Sequence, residues 1–247
     1  MKIDIIFPVL NEENRLENGI IKTLEYLKTS KFNDFKLTIV DNGSTDKTEE
    51  IGLKLCEKNS QVKYIRIEEK GVGVAFREGV KHTNFEIVGY MDIDLSTDLE
   101  SIDEVFRIFF NNLNIDIITG SRNMKESEVK NRPLVREITS KSLGKIINII
   151  LKTKLKDYMC GFKFFRREKL NEIMLNISDE KGWFYCAELL IYSEWKNYII
   201  YELPVKWTDE RENSKVDNQI FSLINKYMKQ IFRLAKMKKE KKLWKRQ

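Results

Sequence analysis

The chain has 247 residues, 42% hydrophobic and 33% charged, with a formal net charge of +6. That is enough apolar material for one large domain with a real core, or at most two small ones. A single histidine (His82, read as a surface residue) and three scattered cysteines (Cys56, Cys160, Cys186) argue against serine-histidine triads, multi-histidine metal sites and a disulfide scaffold, and for a reducing compartment.

In chain order, IDIIFPV (3–9) reads as a buried strand. A helix is expected over 12–28, where Leu16, Ile20, Leu24 and Leu27 recur at helical spacing. FKLTIVD (35–41) is a second strand, and NGSTD (42–46) is turn chemistry with Ser44 or Thr45 as the cap of a helix over 46–58. VKYIRI (62–67) is a third strand, and EKGVGVAFREGVKH (69–82) a glycine-containing turn and helix. FEIVGYMD is the fourth strand, a helix follows at 98–112, and IDIITGS (115–121) is the fifth strand. Strands alternating with helices predict a mostly parallel sheet covered on both faces, an α/β architecture. Ligands on such sheets sit at the carboxyl ends of the strands. Asp41, Asp92 and Arg122 fall at or just past such ends, which points to a shared cleft.

After 122 the pattern becomes richer in helix. PLVREITSKSLGKIINIILK (133–152) is a helix with more apolar surface than a narrow core stripe needs. Either it packs in the core or part of it lies at a bilayer surface. DYMCGFKFFRR (157–167) is a short strand-like piece. A helix at 182–196, a strand at 198–205, an irregular segment KWTDERENSKVD and a final helix over 217–240 complete the chain. The last twelve residues, KMKKEKKLWKRQ, hold seven Lys or Arg and one Glu. Taking these from totals of 44 basic and 38 acidic residues leaves 37 of each, so the body is neutral. No nucleic-acid-reading motif accompanies the excess, and nucleic acid is not an expected partner. Leu243 and Trp244 within the basic cluster suit an anionic membrane surface; the plainer alternative is a solvated helix end. The N-terminus turns polar too soon for a signal peptide, and no stretch reaches the ~18–20 apolar residues of a transmembrane span. The expected location is the cytoplasm, peripherally on a membrane, with no transmembrane helix.

EIVGYMDIDLSTDLE (86–100) carries the sharpest chemistry. Asp92 and Asp94, one residue apart at the end of an apolar strand, should point the same way and repel. A hard divalent cation, Mg²⁺ or Mn²⁺, resolves that repulsion and readily shares its shell with phosphates. The alternative is that one aspartate caps the next helix; Asp98 or Thr97 is better placed for that. In FPVLNEEN, Pro8 ends the strand and Glu12 lies just beyond.

Together PVLNE, VDNGSTDKT, KGVGVAFREG and MDIDLS, in this order at strand ends, resemble glycosyltransferase family 2 and its GT-A fold. The second half is similar to the polyprenyl-phosphate sugar transferases. Its D-x-x-CGFK-x-F-x-R piece and the W-x(6)-SK spacing resemble dolichyl-phosphate glucosyltransferases more than mannosyltransferases. The resemblance covers residues 1 to about 235. It implies one GT-A domain with a nucleotide-sugar half (1–122) and an acceptor half (123–235), followed by the basic tail (236–247). It implies a nucleotide-diphospho-sugar donor (UDP-glucose first, GDP-mannose second) and a polyprenyl or dolichyl phosphate acceptor, with inversion at the sugar. By motif position, Pro8, Leu10, Glu12, Ile39 and Asp41 hold the nucleoside. Asp92, with Ile93 beside it, meets the ribose or a metal-bound water. Asp94 ligates Mg²⁺ or Mn²⁺, with Ser96 a weaker or water-mediated ligand. Arg122, Arg211 and Lys215 face the diphosphate, while Arg136, Ser140 and Ser214 belong to the acceptor side. Glu188 is a base if the acceptor is a hydroxyl, an orienter of an acceptor-site arginine, or a structural acid. Leu10 where relatives often carry Tyr, and DIDLS where many read DADLQ or DADGA, depart from the pattern. Two rival readings remain: a family 2 enzyme acting on a saccharide hydroxyl, and a non-catalytic, membrane-associated nucleotide-sugar-binding protein.

Overall fold

A computed structural model describes residues 1–32, 34–209 and 220–244. The first half alternates without exception: β1 (Lys2–Val9), α1 (Leu16–Thr29), β2 (Asp34–Asn42), α2 (Thr48–Lys58), β3 (Val62–Ile67), α3 (Val72–Lys81), β4 (Ile87–Met91), α4 (Ser101–Asn111) and β5 (Ile117–Ser121). The second half adds β6 (Glu128–Lys130), α5 (Leu134–Leu151), β7 (Phe162–Arg166), α6 (Arg167–Met174), α7 (Phe184–Trp195), β8 (Ile200–Pro204), β9 (Lys206–Thr208) and α8 (Ile220–Trp244).

Seven strands form one sheet in the order β3-β2-β1-β4-β7-β5-β8, and β6 pairs with β9 in a second, two-stranded sheet. Every pairing in the large sheet is parallel except those of β7, which runs antiparallel between β4 and β5. Alternation along β1 sends Ile3, Ile5 and Phe7 to one face, where Leu16, Ile20 and Leu24 of α1 and Ile102 and Val105 of α4 cover them. Ile6 goes to the other face with Val40, Phe76, Tyr90 and the apolar length of α7. Each such side chain contributes about 1.5–3 kcal/mol on burial.

Several local expectations are revised. The 12–15 segment is a turn, and α1 begins at Leu16. Neither Ser44 nor Thr45 caps α2: Asp46 Oδ1 accepts the Thr48 N–H at 3.0 Å, and Ser44 is turned toward Asn11. Asp98 Oδ1 accepts the Glu100 N–H ahead of α4, as its position predicts. Three short elements escape sequence patterning: α6, the three-residue β6 in a stretch given no element, and the three-residue β9 within the segment read as irregular. His82 lies at the surface beside Glu78.

The apolar surplus of α5 is not core. The helix buries Gly144, Ile147 and Leu151 but exposes Leu134, Val135, Ile138 and Ile149. At the other end of the chain, α8 continues through the first part of the basic stretch to Trp244. There Lys238 is turned onto the protein, donating to the Leu151 carbonyl and lying over the Trp195 ring. No helix among the described residues is long and apolar enough to cross a membrane.

Candidate active site

The loops after β1 and β2 hold each other. Asn11, in a left-handed conformation (φ 56°), donates its N–H to Ser44 Oγ and accepts the Thr45 N–H on Oδ1. The Glu12 N–H goes to Thr48 Oγ1 at 2.8 Å, and the Glu13 N–H to Asp46 Oδ2. Asn tolerates positive φ, and Ser, Thr and Asp supply short acceptors, so the residues that read as turn chemistry form an inter-loop clasp. Within it Pro8 and Glu12 are half-buried and Leu10 is exposed. Asp41 is fully buried. Its Oδ1 accepts the Ser44 N–H, and its Oδ2 accepts the Tyr64 hydroxyl at 2.7 Å and faces Arg66. Ile39 and Ile93 point into the core, leaving only their backbone to a ligand.

Asp92 and Asp94 follow β4. Ile93 between them is buried in the core, and the chain has left the strand for a turn there, closed by the Leu95 N–H to the Asp92 carbonyl, so the strand period that would set the two acids on one face does not extend to Asp94. Leu95 then takes φ 51°, an uncommon conformation for a branched side chain, and reverses the chain. Asp94 Oδ1 accepts the Ser96 N–H, and Asp92 Oδ1 accepts the Tyr90 hydroxyl at 2.9 Å. Because β7 is antiparallel to β4, its start lies beside the end of β4: Met91 pairs with Phe162. Gly161 therefore abuts Asp92, its carbonyl accepting the Asp92 N–H. A Cβ at Gly161 would lie 1.8 Å from Asp92 Oδ2. The glycine of the CGFK piece thus makes room for an aspartate 69 positions earlier in the numbering.

Arg122, just past β5, is fixed by Asp157. Its Nε reaches Oδ2 at 2.7 Å, its Nη2 reaches Oδ1 at 3.0 Å, and its backbone N–H adds a third bond. Burial favours the neutral acid, but the adjacent guanidinium outweighs it and holds the Asp157 carboxyl at about 2. The Arg122 guanidinium also lies 5.5 Å from the centre of the Trp207 ring, with Arg132 at 5.8 Å from the same ring. Trp207 sits on β9, which joins the Asp-x-Asp turn through the Thr208 N–H to the Ser96 carbonyl and the Asp98 N–H to the Lys206 carbonyl. Arg136 and Ser140 stand one turn apart on α5, with Arg136 paired to the buried Asp209 at 2.6 Å. Sequence reasoning missed Asp157, Gly161, Arg132 and Lys163. Asp157 and Gly161 were inside a quoted motif without a partner, and Lys163 is a buried lysine donating to the Cys160 carbonyl.

Of the three roles open to Glu188, the geometry matches the structural acid rather than the base. Glu188 is fully buried on α7, where Oε1 accepts the Ser178 N–H, Oε2 accepts the Ser178 hydroxyl, and Arg233 of α8 completes an ion pair at 2.6 Å. That is a tie between helices, not a base open to a substrate. The glycine turn before α3 likewise serves close approach: Gly71 (φ 142°) and Gly73 lie against the backbone of Lys181 and Glu180. Arg211, Ser214 and Lys215 lie outside the described residues.

The donors on this turn are of the kind a hard divalent cation takes: two carboxylates two residues apart, and the buried Ser96 Oγ, which has no hydrogen-bond partner among the described residues. Among those residues no cluster of three or more His, Cys, Asp or Glu could hold an ion.

Known proteins share much of this sequence and its fold. The chain is 30% identical over 222 residues to the dolichyl-phosphate beta-glucosyltransferase ALG5A of Trichomonas vaginalis, covering 87% of this chain and 68% of that one. It is 26% identical over 228 residues to the Homo sapiens dolichyl-phosphate beta-glucosyltransferase, covering 87% and 69%. Against glycosyltransferase AglD of Haloferax volcanii it is 27% identical over 219 residues, covering 88% of this chain but 34%, about a third, of that relative. The fold matches the crystal structure of glucosyl-3-phosphoglycerate synthase from Mycobacterium tuberculosis with UDP, at a TM-score of 0.71 and 18% identity, over 95% of this chain and 80% of that one. The family profile described as Glycosyl transferase family 2 matches residues 4–174, the span that contains the loop clasp, the two aspartates and the Arg122–Asp157 pair. With that match over more than half its length, the chain belongs to glycosyltransferase family 2.

Proposed function

We propose that the protein transfers a hexose, with inversion, from a nucleotide-diphospho-sugar to a polyprenyl or dolichyl phosphate, and that UDP-glucose is the donor. The observation that carries this reading is the approach of Asp92 and Arg122 to each other beside Gly161, at the sheet edge where family 2 places its donor, with Asp94 two residues further along the same turn. The names of relatives matching 87% of the chain support the acceptor. Pro8, Leu10 and Glu12 with the backbone at Ile39 and Ile93 hold the nucleoside, and Asp41 stiffens that wall. Asp94, with Asp92 and Ser96, holds Mg²⁺ or Mn²⁺; a synthase of the same fold has been solved with Mn²⁺ and UDP-glucose. When bound, the cation stabilises negative charge on the departing diphosphate. Arg122 adds a fixed positive charge on the same side, with Arg211 and Lys215 assigned to it by motif.

The acceptor chemistry agrees with the placement of Glu188. A sugar hydroxyl needs a base, whereas a phosphate monoester has a second pKa near ~6 and is mostly dianionic at pH 7. It needs positioning by cations and no proton acceptor, so an α7 carboxylate committed to Ser178 and Arg233 costs the reaction nothing. The exposed Leu134, Val135 and Ile138 of α5 offer an isoprenoid chain or a bilayer surface an apolar face, and the basic end of α8 attracts anionic lipid.

The test is transfer from labelled UDP- and GDP-sugars to polyprenyl phosphate in detergent with Mg²⁺ or Mn²⁺, alongside Asp94→Ala. Label in the lipid fraction, lost in the variant, is the expected result. Donor binding without lipid labelling would refute the acceptor and turn attention to saccharide hydroxyls.

A further inference from the structure

A pocket of about 410 Å³ opens between the β5–β6 connection and the first turns of α5, lined by Arg122, Asn123, Ser127, Asn131, Arg132 and Lys141 among others. Its cations are not equivalent. Arg122 is bound by Asp157, and Lys141 by Glu137 one turn away. Arg136, which the family resemblance assigned to the acceptor side, is held by Asp209. Arg132 has neither a hydrogen bond nor an ion pair among the described residues; it lies over the face of Trp207, the ring that Arg122 also meets, and feels Asp157 and Glu137 only through space. Burial, then the charge of Arg122, lowers its pKa to about 10, yet it stays protonated at pH 7. Arg122, Arg132 and Lys141 set against Asp157 and Glu137 leave one surplus positive charge at a polar cavity, with two guanidinium groups gathered on one indole. An oxyanion with several acceptor oxygens answers that surplus, and a planar guanidinium binds such an ion through paired bonds.

We propose that Arg132, backed by Trp207 and assisted by Lys141, receives the phosphate of the acceptor in this pocket, beside rather than upon Arg136. The assignment rests on the lipid-phosphate reading above and sharpens it by naming the residue that positions the nucleophile. The isoprenoid chain then leaves along Leu134, Val135 and Ile138, exposed on the same turns of α5.

The experiment measures binding of geranyl phosphate, of inorganic phosphate and of UDP with Mn²⁺ to the whole protein by calorimetry, for wild type, Arg132→Gln, Arg132→Lys and Lys141→Gln. Arg132→Gln should weaken geranyl phosphate at least tenfold while changing UDP less than twofold. Arg132→Lys should recover part of the loss, and Lys141→Gln, at the helix surface, should lose about threefold. In the transfer assay the same variant should raise KM for the lipid phosphate more than it lowers kcat. Inorganic phosphate binding as tightly as geranyl phosphate, with the same dependence on Arg132, would overturn the lipid acceptor and leave a plain phosphate site. Unchanged geranyl phosphate binding in Arg132→Gln, or an equal loss of UDP, would overturn the assignment. If the wild type binds geranyl phosphate through Arg132 but transfers no sugar to it, the pocket stands and the proposed reaction falls.

Discussion

Gly161→Ala tests whether the start of β7 shapes the donor site. Gly161 has an ordinary negative φ, so alanine brings no backbone strain, only a methyl group. That methyl carbon would stand 1.8 Å from Asp92 Oδ2 and 2.3 Å from Asp92 Cγ. Ordinary van der Waals separation requires the carboxylate to retreat by about 1.5 Å. Backbone movement is resisted by the hydrogen bond from Asp92 N–H to the Gly161 carbonyl and by the strand pairing next to it. The side chain must therefore rotate, which breaks its bond from the buried Tyr90 hydroxyl. Leaving that hydroxyl unpaired costs about 1–3 kcal/mol, and an off-rotamer aspartate about 1 kcal/mol more. A misplacement of about 1 Å at reacting groups lowers turnover on the order of a hundredfold. Urea denaturation should thus show a loss of about 2–4 kcal/mol, and sugar transfer a far larger proportional loss in kcat. Adding Gly161→Ala to Asp92→Ala should cost little further, since the clash is gone. Wild-type stability and turnover in the single variant, or full additivity in the double, would refute the argument.

Three further outcomes follow from the same contacts. Glu188→Gln should keep kcat within a few-fold and lose about 1–3 kcal/mol of stability, because Arg233 forfeits its partner; a kcat loss of a hundredfold at unchanged stability would restore Glu188 as a base. Asp157 titrates at about 2 in the folded chain against a reference of 3.8. A depressed carboxyl stabilises fully above its unfolded pKa, so about 2 kcal/mol should fade as pH falls from about 4 towards 2; an acid-unfolding slope unchanged in Asp157→Asn would contradict this. Thr48→Val removes the acceptor of the Glu12 N–H at constant shape, and should destabilise by about 1–2 kcal/mol and raise the donor KM severalfold; an unchanged KM would separate the clasp from donor binding.

The first half of this chain was legible because each of its elements is long, periodic and closed by local chemistry. Strand ends found by alternation placed Asp41, Asp92 and Arg122 at one edge of the sheet, and the structure has them there. What escaped depends on partners distant in sequence. The i, i+4 spacing of Arg136 and Ser140 identified a helix face, but Asp209, 73 positions on, decides which arginine of that region is already matched. Glu188 has the look of a helix acid near an acceptor until Ser178 and Arg233 are seen to consume both its oxygens.

The direction of β7 explains the largest omission. In a parallel sheet, functional residues are sought after each strand, because all the carboxyl ends share one edge. Applied to 157–167, that habit points past Arg166, whose N–H meets the Asp116 carbonyl at the opposite edge, beside the starts of β4 and β5. An antiparallel strand inserted into such a sheet brings its leading residues to the active edge instead. Asp157, Cys160 and Gly161 therefore lie where residues following a parallel strand would. A run of aromatic residues long enough only for one strand carries no sign of its direction. The sign lay just upstream: an aspartate, a glycine and a polar turn ahead of a strand with an arginine at its far end. Such a piece deserves to be read from both ends whenever the sheet around it is otherwise parallel.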